Sequence, residues 1–358
     1  MEAPIRLLIV DDSAFNRRLI AEIFADDPAV EVVGKAADGE EALRLASTLK
    51  PDVITCDLEM PRMDGFTFLR ILMAKQPTPV LVVSSYSQKE NVFKALELGA
   101  LDFIAKPDRQ ISPDAADLRE QILLKVKMIR SLRPGAVGGA PSSLPGAGQR
   151  PLTGQSIRPS EPAKPPLASI PPRHVIAIAS STGGPTALLE IFGRLRERSA
   201  SAVLVAQHMP DKFTRSFAER LDRKGPLRTA EAQDGDRVVA ATGFVCPGRR
   251  CMELVANGND LSLRVGTASS EDRYVPSADK LLTSVAKAVG RRAVAVILTG
   301  MGDDGVEGAR AIRAAGGLVI AESQESAVVF GMPGAAVRAG IVDRVLSLSD
   351  IAATLAHY

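Results

Sequence analysis

The chain has 358 residues, 46% of them hydrophobic and 24% charged, with a formal net charge of +2 at pH 7. That length accommodates two domains, and the balance argues against both a disordered chain and wholesale nucleic-acid binding. With no apolar run of about 18 residues and no apolar signal core after Met1, a cytoplasmic location without direct membrane insertion is expected. Cys56, Cys246 and Cys251 are odd in number and outside zinc-ligand spacing, which predicts free thiols in a reducing compartment.

The first elements alternate between short apolar runs and amphipathic stretches. "IRLLIV" stops at Asp11-Asp12, "DVITC" at Asp57, "TPVLVVS" at Ser84-Ser85 and "DFIA" at Lys106-Pro107. Between them, Phe15 to Phe24 and Val92 to Leu98 read as helices. A last helix is predicted from Ser112-Pro113, an N-cap followed by proline at the first helical position, with Leu118, Ile122, Val126 and Ile129 on one face. Strand and helix in alternation predict a doubly wound parallel sheet, whose strands all end on one edge. Asp11, Asp12, Asp57, Ser84 and Lys106 should converge there. Three carboxylates together repel unless a cation sits among them, and oxygen ligands of this kind suit Mg2+. A carboxylate in such a setting can attack a phosphoryl group while metal and lysine neutralise its oxygens.

From Arg133 to Arg173 the composition changes, with ten of the chain's 24 prolines, six glycines and no hydrophobic period. A linker of this kind, roughly 40 residues long, spans about 35 Å when flexible, so the flanking domains could touch or separate.

The alternation resumes near Arg173. "HVIAIAS" leads into Ser181-Thr182-Gly183-Gly184, "AVLVAQ" runs into His208, and "AVAVILTGMG" runs into Asp303-Asp304. These nearly continuous apolar runs are those of strands buried on both faces. Helical patterns follow, Phe213 to Leu221 among them, so a second α/β sheet is predicted. A serine, a histidine and an aspartate thus stand at the ends of three strands, the set that nucleophilic catalysis needs: a hydroxyl to attack, an imidazole to take its proton, a carboxylate to orient the ring. His174 lies at the far end of its strand and His357 is penultimate, which leaves His208 as the candidate base. Alternation along the strand does not choose between Ser180 and Ser181, nor does spacing choose between Asp303 and Asp304.

The first pattern, with "MPRMDG" after the third run, resembles the receiver domain of two-component response regulators over residues 1 to about 130. By that resemblance Asp57 is the phosphoacceptor, and Asp11 and Asp12 with the backbone of Glu59 hold Mg2+. Ser84 and Lys106 contact the phosphoryl group, and Phe103 is the switch aromatic. "STGG", "QHMP", "LTGMGDDG" and "VVFGMP" resemble the catalytic domain of the chemotaxis protein-glutamate methylesterase family. The whole chain resembles that family in its order: a flavodoxin-like receiver (1–132), a Pro/Gly-rich linker (133–172) and a Rossmann-like methylesterase domain (173–358).

The resemblance implies Ser181, His208 and Asp304 as the triad, with Thr182 and Met301 as active-site neighbours. The amides of the turn and first helical turn from near Gly183 can face an oxyanion, and Pro185 suits a first-turn position. It also implies hydrolysis of glutamyl methyl esters, and deamidation of glutamines, on methyl-accepting chemoreceptors, with no cofactor for the esterase reaction. A chemotaxis histidine kinase is the implied phosphodonor, and the unphosphorylated receiver is expected to cover the catalytic face. Two positions depart from the family: Ala179 stands where glycine is common, and Cys251 where histidine is frequent. An alternative is a phosphorylation-dependent binding regulator without hydrolysis. A nucleotide-phosphate cradle at "STGGP" lacks both Gly-x-Gly-x-x-Gly and the P-loop lysine.

Overall fold

Apolar runs become the buried strands of two parallel sheets. The computed structural model describes residues 3–85, 89–106, 114–132, 170–197 and 199–358. The first sheet contains β1 (Ile5–Val10), β2 (Val30–Ala36), β3 (Val53–Cys56), β4 (Val80–Ser85) and β5 (Asp102–Lys106), in the order β2-β1-β3-β4-β5 with every pair parallel. It is flanked by α1 (Ala14–Ile23), α2 (Gly39–Leu49), α3 (Gly65–Lys75), α4 (Lys89–Glu97) and α5 (Asp114–Lys127). Asp38 caps α2 by accepting from the amides of Glu40 and Glu41, and Asp64 caps α3 through Thr67 N. Such caps satisfy amides that the helix itself leaves without partners. Ile122 and Val126 are fully buried on α5, as their spacing predicts. Ser112-Pro113, Pro107 and most of the expected linker lie outside the described residues.

The second sheet has seven strands: β6 (His174–Ser180), β7 (Ser201–Gln207), β8 (Arg228–Glu231), β9 (Thr242–Val245), β12 (Ala293–Ile297), β13 (Leu318–Glu322) and β14 (Arg344–Leu346). They lie in the order β14-β13-β12-β6-β7-β9-β8, again all parallel. An antiparallel hairpin, β10 (Arg250–Asn257) with β11 (Asp260–Thr267), stands apart from it. The helices are α6 (Gly184–Arg194), α7 (Asp211–Lys224), α8 (Ala278–Val289), α9 (Val306–Ala314), α10 (Met332–Arg338) and α11 (Leu348–Leu355). The chain leaves β6 toward β7 on one side and later fills β12 to β14 on the other. A crevice therefore opens at the strand ends beside β6, where such sheets place their ligands.

The two sheets share an apolar cluster. Phe93 of α4 stacks on Phe217 of α7 at 5.5 Å, and Phe103 of β5 lies 4.6 Å from Phe213. Aromatic pairs of this kind add about 0.5–1.5 kcal/mol each beyond the area they bury. Arg220 meets Glu97 at 2.5 Å, and Leu132 bridges antiparallel to Val329. No helix among the described residues is long and apolar enough to cross a membrane.

Candidate active site

The two adjacent serines have different surroundings. Ser180, the last residue of β6, is fully buried and donates to Gln207 Oε1 at 2.7 Å. Ser181 follows the strand and is half-buried at the wall of a cavity of about 640 Å3. Its N–H donates to Thr299 O (3.0 Å), and its carbonyl accepts from Gly184 N (2.8 Å) and from Gln207 Nε2 (3.0 Å). Gln207 Nε2 also donates to His208 O at 2.9 Å, so one buried amide side chain ties the two loops together. Gly184 is required by this packing, because a Cβ there would stand 2.1 Å from Gln207 Oε1. The N-cap of α6, Gly183, has no side chain to cap the first-turn amides.

The two aspartates are separated just as sharply. Asp304 is 1% exposed and sits against the start of α8. Its Oδ2 accepts from His208 Nε2 and from Ala278 N, each at 2.8 Å, and its Oδ1 accepts from Asp279 N at 3.0 Å. Two amides at the positive end of the α8 dipole thus converge on the carboxylate. Because an ionised carboxylate only accepts, Nε2 carries the proton and His208 Nδ1 is left with the lone pair. Asp303 is exposed and accepts instead from Tyr274 Oη (2.9 Å) and Arg273 Nη1 (3.2 Å).

Ser181, Thr182, His208, Met301, Arg273 and Tyr274 line the cavity from the second sheet; Glu120, Gln121, Leu124 and Lys125 of α5 line it from the first. The first sheet also reaches in directly. Asp102 Oδ2, buried at the start of β5, accepts from Thr182 Oγ1 at 2.7 Å and from Lys125 Nζ at 2.7 Å. A residue beside Ser181 is thereby bonded to the other domain.

At the edge of the first sheet, carboxylate oxygens of Asp11, Asp12 and Asp57 lie within 4.8 Å of one another. Lys106 Nζ donates to Asp11 Oδ2 at 2.9 Å and pairs with Asp57. Asp57 Oδ1 accepts from the amides of Leu58 (2.6 Å) and Glu59 (3.3 Å). Burial raises the Asp57 pKa above the ordinary carboxylate range, against the pull of Lys106. Two buried carboxylates and one exposed one, open to solvent on the Asp12 side, suit a small oxygen-seeking divalent cation that keeps some of its water. Ser84 is buried at the end of β4, and Phe103 is buried between Phe93 and Phe213.

Ala179 lies inside β6, fully buried, with its Cβ 3.3 Å from where one on Gly305 would stand. It precedes the turn, so the departure from glycine falls on strand packing. Cys251 is buried with its Sγ 3.8 Å from Asp272 Oδ2, and burial raises the pKa of all three free thiols. Gln207, Tyr274, Thr299 and Asp102 escaped sequence reasoning. Gln207 stands inside "QHMP", Thr299 inside "LTGMGDDG" and Asp102 at the head of "DFIA", whereas Tyr274 lies in no such run.

Residues 176–355 match the family described as CheB methylesterase, and residues 7–113 match the response regulator receiver domain. The chain is 47% identical to "Protein-glutamate methylesterase/protein-glutamine glutaminase 1" of Myxococcus xanthus (strain DK1622), over 98% of this chain and 96% of that protein. It is 39% identical to "Protein-glutamate methylesterase/protein-glutamine glutaminase" of Bacillus subtilis (strain 168), over 98% and 97% respectively. The crystal structure of the Thermotoga maritima CheB methylesterase catalytic domain superposes with a TM-score of 0.50 at 36% identity, covering 51% of this chain and 97% of that one.

Proposed function

The chain belongs to the CheB methylesterase family, and from that premise we propose that it is a protein-glutamate methylesterase and protein-glutamine glutaminase controlled by its own receiver domain. The observation that carries this reading is the buried Asp304–His208 hydrogen bond, opening on the cavity that Ser181 lines. Ser181 Oγ attacks the γ-carbonyl of a glutamyl methyl ester, and His208 Nδ1, the nitrogen with the lone pair, takes its proton. Asp304 keeps the ring in that tautomer and offsets the charge it gains. Amides of the turn at Gly183 take the oxyanion. Methanol leaves with the proton from His208, and a water activated by the same nitrogen releases the glutamyl carboxylate. A glutamine follows the same course with ammonia as the leaving group.

The chain is organised as a receiver (1–132), a linker (133–172) and a catalytic domain (173–358). Asp57 accepts a phosphoryl group from a chemotaxis histidine kinase. Asp11, Asp12 and the backbone of Glu59 would hold Mg2+, which when bound neutralises phosphoryl oxygens. Ser84 and Lys106 contact the phosphoryl group, and Phe103 follows the change. Supporting this route, Phe103 adjoins Asp102, whose carboxylate is bonded to Thr182 beside the nucleophile. Phosphorylation then shifts a balance between closed and open arrangements, for which differential interface stability of a few kcal/mol is sufficient. The substrates are methyl-accepting chemoreceptors, and the enzyme acts in the cytoplasm in sensory adaptation.

Methanol release from methylated receptor tests the reading. Phosphodonor-treated wild type and Ser180→Ala should release it, and Ser181→Ala should not. Loss in both variants, or in neither, would undo the assignment of Ser181. No release from wild type would leave the phosphorylation-dependent binding regulator.

A further inference from the structure

Asp304 holds His208 by one edge. A single Nε2–H···Oδ2 hydrogen bond fixes one atom of the imidazole and by itself leaves the ring free to turn about that axis, which would change where Nδ1 points. The face of the ring is covered by Tyr274, which lies almost parallel to it, at 9° and 5.4 Å between centroids. Tyr274 is braced in turn: its hydroxyl donates to Asp303 Oδ1 at 2.9 Å, and Arg273 Nη1 lies 3.2 and 3.3 Å from the two Asp303 oxygens. The Arg273 guanidinium also lies 5.1 Å from the Tyr274 ring. Gly302 makes room for the phenol, since a Cβ there would fall 2.5 Å from Tyr274 Oη. Burial, together with the Asp303 bond, raises the phenol pKa above its ordinary value, so near neutral pH Tyr274 is a neutral donor to Asp303.

We propose that Tyr274, braced by Asp303 and Arg273, is a positioning residue for His208, fixing the plane of the imidazole and favouring its charged form through the face of the phenol ring. This rests on the reading of His208 as the general base. Once His208 has taken the serine proton, a cation lies over an aromatic face, an attraction that the neutral ring lacks. Among the described residues, Arg249, Arg273, Glu120 and Lys125 are the charged side chains that line the same cavity, and Asp304 bonds the edge of the ring. Arg273 opposes a positive imidazole, and its pairing with Asp303 offsets that opposition.

The test uses the full-length, phosphodonor-activated protein and methanol release from a helical peptide carrying a glutamate γ-methyl ester. Tyr274→Leu should lower kcat about tenfold while KM stays within about twofold. It should also move the acid limb of the kcat/KM profile to lower pH, because removing a group that favours the protonated form lowers the His208 pKa. NMR titration of the His208 ring should report the same shift without turnover. Tyr274→Phe keeps the ring face and should retain kcat within about threefold, with the wild-type limb. Wild-type kcat and limb in Tyr274→Leu, or a loss confined to KM, would overturn the inference. If the leucine variant does not fold, Tyr274→Phe decides: a kcat lowered about tenfold would assign the effect to the hydroxyl and overturn the stacking role. An inactive wild type would instead count against the reading of the site as an esterase.

Discussion

Asp57 and Asp304 are both buried aspartates in loops that follow a parallel strand, 7% and 1% exposed, yet different kinds of group hold them. Asp304 is fixed by His208 and by two backbone amides of α8, which cannot leave without unfolding the start of a helix. Asp57 is held by two loop amides and by Lys106, a long side chain that also serves Asp11. The first arrangement keeps one geometry. The second leaves its balance to whatever charge arrives, since adding a phosphoryl group and a cation redistributes every partner of Lys106. On the proposed function, a permanent site and a switchable one are thus built on the same edge of the same kind of sheet.

The sharpest break in that comparison is at Asp304. Asp304→Asn offers one acceptor oxygen to three converging donors, and its NH2 must face an N–H of α8 or of His208. Turnover of a glutamyl methyl ester should fall by about 10^3-fold or more, with His208 released from its tautomer. Stability should fall by about 1–3 kcal/mol, because a buried donor loses its partner. A variant with near wild-type turnover would mean that α8, and not the carboxylate, orients the histidine.

At the switchable site the expectation reverses. Asp57→Asn should fold and keep basal turnover, while stimulation by a small-molecule phosphodonor disappears. Comparing methanol release with and without phosphodonor checks this, and retained stimulation would place the phosphoacceptor elsewhere.

Between the two sites lies Asp102, which bonds both Lys125 of its own domain and Thr182 of the other. Asp102→Ala removes a charge-assisted contact made in the closed arrangement, and such contacts contribute about 1.5–3 kcal/mol. Basal turnover should rise by up to about tenfold, limited by how far the closed arrangement already predominates. The same substitution should shrink the phosphodonor response by a matching factor. Basal turnover at the wild-type level would show that Phe103–Phe213, Phe93–Phe217 and Arg220–Glu97 hold the domains together without it.

These contacts also mark where the sequence stopped being legible. Strands such as β6 and β7, buried along nearly their whole length, announce themselves as unbroken apolar runs. β8 and β14 are short and half-exposed, and β2 mixes Glu31 and Lys35 into its pattern, so none of the three has a run to read. The edge residues Asp11, Asp57, Lys106 and His208 were legible because parallel topology gathers strand ends whatever the details of packing, whereas Asp304 was separated from Asp303 only by the family motif. Ser180 against Ser181 was not, since period two says that neighbours face opposite ways and is silent on which way faces the core. Tyr274 and Asp102 meet their partners, His208 and Thr182, only through contacts between distant elements.

The smallest effect is expected at Ser180, where the question is whether the permanent site depends on its backbone or on the polar side chains beneath it. Ser180→Ala removes the hydroxyl that donates to Gln207 Oε1, leaving that buried oxygen without this donor. A loss of about 1–2 kcal/mol follows, read as a fall in Tm of roughly 2–6 °C for a domain of this size. Gln207 Nε2 still holds the carbonyls of Ser181 and His208, and Thr299 O still accepts from Ser181 N. Turnover should therefore stay within about threefold of wild type even as Tm drops, because the turn keeps its bonds to Gln207 Nε2 and Thr299 O. A large loss of turnover without a change in Tm would mean that the buried hydroxyl sets the Ser181 geometry through Gln207, and that the permanent site is tuned from below by a side chain.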